Sequence, residues 1–172
     1  MRKKIIILTG SEIRHQYFKI KLSSDVRFKT IRTYCEGEEK SLEQRIFSNK
    51  KSSELEKFHV QSRAQSELDF FLEYILQAKD SSKSKNIKKG AINDQKIVKE
   101  ILTLKPDLLV CFGSSLIKSN LIDKFKNRFL NVHLGLSPYY RGSGTNIWPI
   151  INKELKYIGV TFMKIDRFPK VN

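Results

Sequence analysis

Three short apolar runs constrain the fold more than any other feature of the chain: residues 5–8 (IIIL), 108–112 (LLVCF) and 129–133 (FLNVH). Each is too short for a stable helix, and turn residues follow the runs. That is the pattern of strands buried in a parallel sheet. Segments with helical periodicity separate them. Ile13, Tyr17 and Ile20 mark one helix, which Ser11 can cap after the Thr9-Gly10-Ser11 turn. Leu55, Phe58, Leu68, Phe71, Leu72, Ile75 and Leu76 mark a long or broken helix over residues 55–77, with its aromatics expected in the core. Ile97, Val98, Ile101 and Leu102 mark another, capped by Asn93 and stopped at Lys105-Pro106. Ser119 can cap a short helix ending near Phe125, and Asn146 one that holds Trp148, Pro149 and Ile151. Residues 28–35 alternate as a second strand, and residues 157–165 form the last. Residues 36–53 are charged and read as loop or frayed helix. Residues 80–89 hold almost no apolar side chain and are expected to be a mobile connection. Strands alternating with helices give a doubly wound α/β domain with a mainly parallel sheet, the three apolar runs adjacent at its centre.

A chain of 172 residues makes one domain with a sizeable core. Arg2-Lys3-Lys4 and the first apolar run imitate a secretory leader, but the run is too short and no small-residue cleavage site follows. No apolar run approaches the length of a membrane span, so the expected location is the cytoplasm. Cys35 and Cys111 fall on different strands and read as packing residues in a reducing compartment. The net charge of +15 suits anionic partners such as nucleic acid, phosphorylated sugars or a polyglutamylated cofactor. Nucleic acid is not favoured, because the basic residues are spread along the chain and no aromatics interleave with them. His15, His59 and His133 are far apart, and nothing has metal-ligand spacing, so no metal is expected. No nucleophile elbow surrounds Ser137.

Along a strand, alternate side chains share a face, so Asn131 and His133 point the same way. They stand at the C-terminal end of their run, just before Gly135, Ser137 and Pro138. In open α/β sheets ligands bind at that end. An amide donor beside an imidazole suits an acyl-transfer centre: the amide can hold a developing oxyanion and the imidazole can handle a proton. A polar strand end whose histidine caps a loop fits the same spacing.

Asn131-x-His133, then Ser137-Pro138, Arg141-Gly142, a helix, and Gly159-Val160-Thr161 together resemble the formyltransferase family. That family includes methionyl-tRNA, glycinamide ribonucleotide and amino-sugar formyltransferases. Upstream, Pro106 to Gly113 (PDLLVCFG) resembles the strand preceding the family's folate pocket, and the likeness runs from about Asn93 to Asp166. The resemblance implies a Rossmann-like catalytic domain that moves a formyl group from 10-formyltetrahydrofolate to a primary amine, an amino sugar or a similar small molecule. Asn131 and His133 would be catalytic. The pterin would lie against Gly113, Ser114, Ser115, Leu116, Ile117 and Lys118. Tyr139, Arg141, Gly142 and Asn146 would cover the amine substrate. One departure stands out. The family carries Asp-x-Gly-x-Asp-x-Gly after its last strand, and here Asp166 fits the first aspartate while Lys170 stands where the second, catalytic one belongs. Residues 1–172 are therefore expected to form a single formyltransferase-like domain lacking its C-terminal end, with weak activity. The alternative is an inactive folate- or nucleic-acid-binding α/β protein.

Overall fold

The computed structural model describes residues 2–142 and 144–165. Six strands form one sheet: β1 (Lys3–Thr9), β2 (Phe28–Gly37), β3 (Ser84–Lys88), β4 (Leu108–Phe112), β5 (Phe129–Leu134) and β6 (Val160–Lys164). Their spatial order is β3-β2-β1-β4-β5-β6. The first five strands pair in parallel and β6 runs antiparallel to β5. The three apolar runs are adjacent at the centre, as their composition requires. The order reverses between β1 and β4, which makes that junction the topological switch point.

Helices cover both faces: α1 (Ile13–Ser23), α2 (Leu42–Ser48), α3 (Glu54–Gln77), α4 (Gln95–Leu104), α5 (Ser119–Lys124) and the short α6 (Trp148–Ile151). Ile5, Ile6, Ile7 and Leu8 are all fully buried, so β1 is covered on both sides. One face carries Ile6, Leu8, Leu109, Cys111 and Phe129 against Ile97 and Ile101 of α4, Leu121 of α5, and Ile117 and Phe125 beside it. On the other face Phe112 meets Phe18 and His15 of α1, each ring centroid 5.2 Å away. α1 then packs outward on α3 through Tyr17 with Phe71 and Tyr74.

Several local expectations are corrected. Residues 80–89 are not a mobile connection, since β3 lies within them. It is an edge strand with alternating burial, and the lysines that make it look like a linker are those that keep a sheet edge from pairing further. Lys85 reaches Glu100 of α4 at 2.5 Å, which ties the edge down. α3 is one unbroken helix whose expected core aromatics divide: Phe71 is half-buried against Tyr17 of α1, while Phe58 is 67% exposed and Val60 is the only buried residue of the helix. A helix with so little burial leans on local terms. Ser53 and Glu56 form a reciprocal capping box, and Arg63–Glu67 and Gln65–Asp69 pair one turn apart. The cap of α1 is Glu12, not Ser11, and that of α4 is Asp94, not Asn93. The charged segment after β2 contains α2. The last strand begins at Val160, because residues Leu155–Tyr157 turn as a short 3-10 helix.

Candidate functional site

β4 ends at Phe112, and Gly113 turns the chain with φ +70°. A β-carbon there would run into His15 Nε2 besides being strained, so the position needs glycine. His15 projects from α1 into the gap and is almost fully buried. Its Nδ1 accepts the Glu12 backbone N–H at 3.3 Å. Burial, helped by the Arg14 charge, holds its pKa down at about 4, so the ring is neutral near pH 7.

The loop from Gly113 to Lys118 is tied down from several sides. Glu36 near the end of β2 accepts the Ser115 N–H at 2.5 Å. Asn93 takes the Lys118 N–H at 2.8 Å and donates to the Leu116 carbonyl at 3.0 Å. Within the loop Ile117 is buried in the core, while Leu116 is 88% exposed. Ser114 and Ser115 are half-buried and Lys118 is exposed.

Asn131 and His133 are half-buried on β5. Asn131 is in register with Cys111 of β4 and Met163 of β6, and His133 with Thr161. By strand alternation both continue the face that carries Cys111 and Phe129, the face on which Ile117 packs. The Cys111 thiol donates to Asn131 Oδ1 at 3.2 Å. Burial pushes that thiol's pKa to about 12, so it stays protonated as a donor. An amide held by its oxygen keeps its N–H groups for an oxyanion.

The loop after β5 is fastened to β6. Gly135, at φ +97°, approaches Thr145 so closely that a β-carbon would fall 2.5 Å from the threonine's own. The Thr161 hydroxyl bridges, donating to the Gly135 carbonyl at 2.7 Å and accepting the Ser137 N–H at 3.0 Å. Asn146 does not cap α6, whose cap is Ile147; its Oδ1 accepts the Gly159 N–H at 3.0 Å. Tyr139, 63% exposed, stacks on Tyr157 with centroids 4.2 Å apart. Arg141 and Gly142 are exposed at the loop tip. Asp166 and Lys170 lie outside the described residues.

An open crevice of about 460 Å³ sits at the β1–β4 switch point. Gly10, His15, Glu36, Arg45, Lys89, Gly113, Ser114 and Ser115 are among the residues lining it. It lies on the β1 side of the Gly113 loop, and Asn131 and His133 are not in its wall. Among the described residues no group of three or more His, Cys, Asp or Glu side chains is placed to hold a metal. No helix among them is long and apolar enough to cross a membrane.

Four residues support the site without belonging to its motif: Glu36, Asn93, Cys111 and His15. Only the last had a visible signal, a histidine just after a glycine turn. The others hold their roles through contacts across 20 to 79 residues of chain, which no local pattern carries.

The sequence family described as formyl transferase matches residues 35–167. The methionyl-tRNA formyltransferase of Finegoldia magna is 35% identical over 77 residues, covering 44% of this chain and 24% of the relative. That of Alkaliphilus oremlandii is 42% identical over 77 residues with the same coverage. The matched region is thus about a quarter of the length of these curated relatives. Among solved structures, glycinamide ribonucleotide transformylase 1 from Geobacillus kaustophilus superposes with a TM-score of 0.59 at 13% identity, over 98% of this chain and 77% of that one. A formyltetrahydrofolate deformylase from Pseudomonas syringae gives a TM-score of 0.57 at 9% identity, over 99% of this chain and 48% of that one. These likenesses show a shared fold. The match over residues 35–167, joined to this topology and the Asn131-x-His133 strand end, shows that the chain belongs to the formyl transferase family.

Proposed function

We propose that this chain carries a folate-dependent formyl-transfer site, with 10-formyltetrahydrofolate as donor and the primary amine of an amino sugar or similar small molecule as acceptor. One observation carries the reading: Asn131 and His133 share a face at the C-terminal end of β5, and Cys111 engages the amide oxygen of Asn131. The exposed Leu116 gives the Gly113 to Lys118 loop an apolar surface that fits a flat pterin, and the loop's backbone supplies polar groups. As the amine nitrogen attacks the formyl carbon, Asn131 donates hydrogen bonds to the oxygen that gains charge. His133 takes the proton from the attacking nitrogen and passes it to the folate nitrogen released when the old carbon–nitrogen bond breaks. The switch-point crevice has room for the body of the amine substrate, and the loop bearing Tyr139, Arg141, Gly142 and Asn146 closes over its reactive end. Low turnover belongs to the same proposal. In the sequence Lys170 takes the place where the resemblance puts the carboxylate that would favour a protonated imidazole.

The test is formyl transfer to a panel of amino sugar phosphates. Expected is slow turnover, lowered about a hundredfold or more by Asn131→Ala or His133→Ala, and raised by Lys170→Asp. Transfer indifferent to both alanine variants sinks the assignment of the site. A second reading has its own support: the charge of +15 and the methionyl-tRNA formyltransferase relatives suit an aminoacyl-tRNA acceptor. Preference for methionyl-tRNA over every amino sugar, lost steeply with salt, selects it.

A further inference from the structure

We propose that Glu36 is a positioning residue that sets the shape of the Gly113 to Lys118 loop and, through it, the affinity for folate. Nothing in the sequence marks this residue. It stands one place before the end of β2, is 6% exposed, and points its carboxylate at backbone. One oxygen accepts the N–H groups of Gly90 and Ile92 at 2.9 and 3.2 Å. The other accepts the N–H of Ser115 at 2.5 Å. Ser115 closes the circuit, since its hydroxyl oxygen also accepts the Gly90 N–H at 3.1 Å.

A buried carboxylate needs compensation for its lost hydration. Among the described residues Glu36 makes no ion pair. Its neighbours Lys89 and Arg45 are both engaged by Glu38 instead. Its charge is therefore held by backbone N–H groups from two loops at once, the turn at Gly90 to Ile92 and the loop after β4. Charge-assisted bonds of this kind are stronger than neutral ones and fix geometry. Asn93, next to Ile92, clasps the far end of the same loop through Leu116 and Lys118. The turn and the loop form one unit with Glu36 at its centre. A loop that meets its ligand through backbone groups must hold them within about half an ångström, which is what such a clamp supplies.

The affinity half of this inference rests on the folate reading; the clamp itself does not. The experiment therefore has two arms on the full chain: amide hydrogen exchange without ligand, and binding of 5-formyltetrahydrofolate as the probe. Glu36→Gln replaces one acceptor oxygen by a donor, which must face an N–H. Expected is exchange at least about tenfold faster at Ser115, or at Gly90 and Ile92, with Ile7 and Val110 unchanged. The dissociation constant for the probe should rise by about the same factor. Glu73→Gln, an exposed carboxylate on α3, should move neither. Unchanged exchange at all three amides overturns the clamp. Faster exchange with unchanged probe affinity overturns its functional half. A wild-type chain that does not bind the probe overturns the folate reading and that half with it, while the exchange arm still decides the clamp. Should Glu36→Gln fail to fold, Glu36→Asp keeps the charge and withdraws it by one methylene. Full protection of Ser115 in that variant is then the overturning result.

Discussion

At the scale of single residues, the supports around the site make claims as sharp as the site itself. Cys111 fixes Asn131 by a thiol hydrogen bond inside the core. Cys111→Ser keeps a donor of similar size, whereas Cys111→Val keeps the volume and removes the donor. If the bond orients the amide, Cys111→Val should lower kcat several-fold with little change in KM, and Cys111→Ser should restore most of it. Equal kcat in the two variants would remove orientation from the account. His15 makes a second claim, about pH. Its pKa is near 6.5 when unfolded and about 4 in the fold, so the neutral ring is the folded form. The stability it contributes is complete above pH 6.5 and is lost as pH falls through about 4, at most of order 3 kcal/mol. Urea midpoints measured from pH 7 to pH 4 should fall in wild type and fall less in His15→Gln. Parallel curves would mean that other groups carry the acid sensitivity.

At the scale of elements, the legible ones were those whose burial is uniform. β1, β4 and β5 are read from apolar runs because the central strands of a parallel sheet must be apolar wherever they are covered. β3 was hidden because it lies at an edge, where the pressure against further pairing favours the lysines that a linker also carries. α3 was legible as a helix but only partly as core, with Phe71 packed on Tyr17 and Phe58 in solvent, since helical periodicity says which residues share a face and nothing about what covers it. The site divides the same way. Asn131 and His133 stood out as polar residues in an apolar strand, while Glu36 and Asn93 act only through partners brought in by the topology. The Gly159-Val160-Thr161 signature gains a structural reason. The Gly159 N–H meets Asn146, and the Thr161 hydroxyl spans Gly135 and Ser137. Thr161→Val deletes the bridge and leaves two polar backbone groups short of a partner. It should cost about 1–3 kcal/mol of stability, measured by chemical denaturation. A cost near zero would show that the loop does not depend on the bridge.

At the scale of the whole molecule, two surface properties oppose each other. The charge of +15 repels a second copy of the chain. Yet the last part of the described chain is apolar on its outside: Ile147, Trp148, Ile150, Ile151, Leu155, Val160 and Phe162 are each between 43% and 73% exposed. Phe162 and Val160 stand on β6, which is the edge of the sheet among the described residues and carries unpaired backbone groups. Apolar contact is short-ranged and insensitive to moderate salt, whereas charge repulsion reaches about 10 Å at 0.1 M salt and shrinks as salt rises. Association through this region should therefore increase with salt. Binding to a polyanion should decrease with salt, because it releases counterions. Light scattering of the chain across a salt series, with and without added tRNA, separates the two. Phe162→Lys, which puts a charge on the edge strand at a solvent-facing position, should suppress the salt-induced association and leave Tm within a few degrees of wild type. Association that falls with salt, or that survives Phe162→Lys unchanged, would place the contact elsewhere on the molecule.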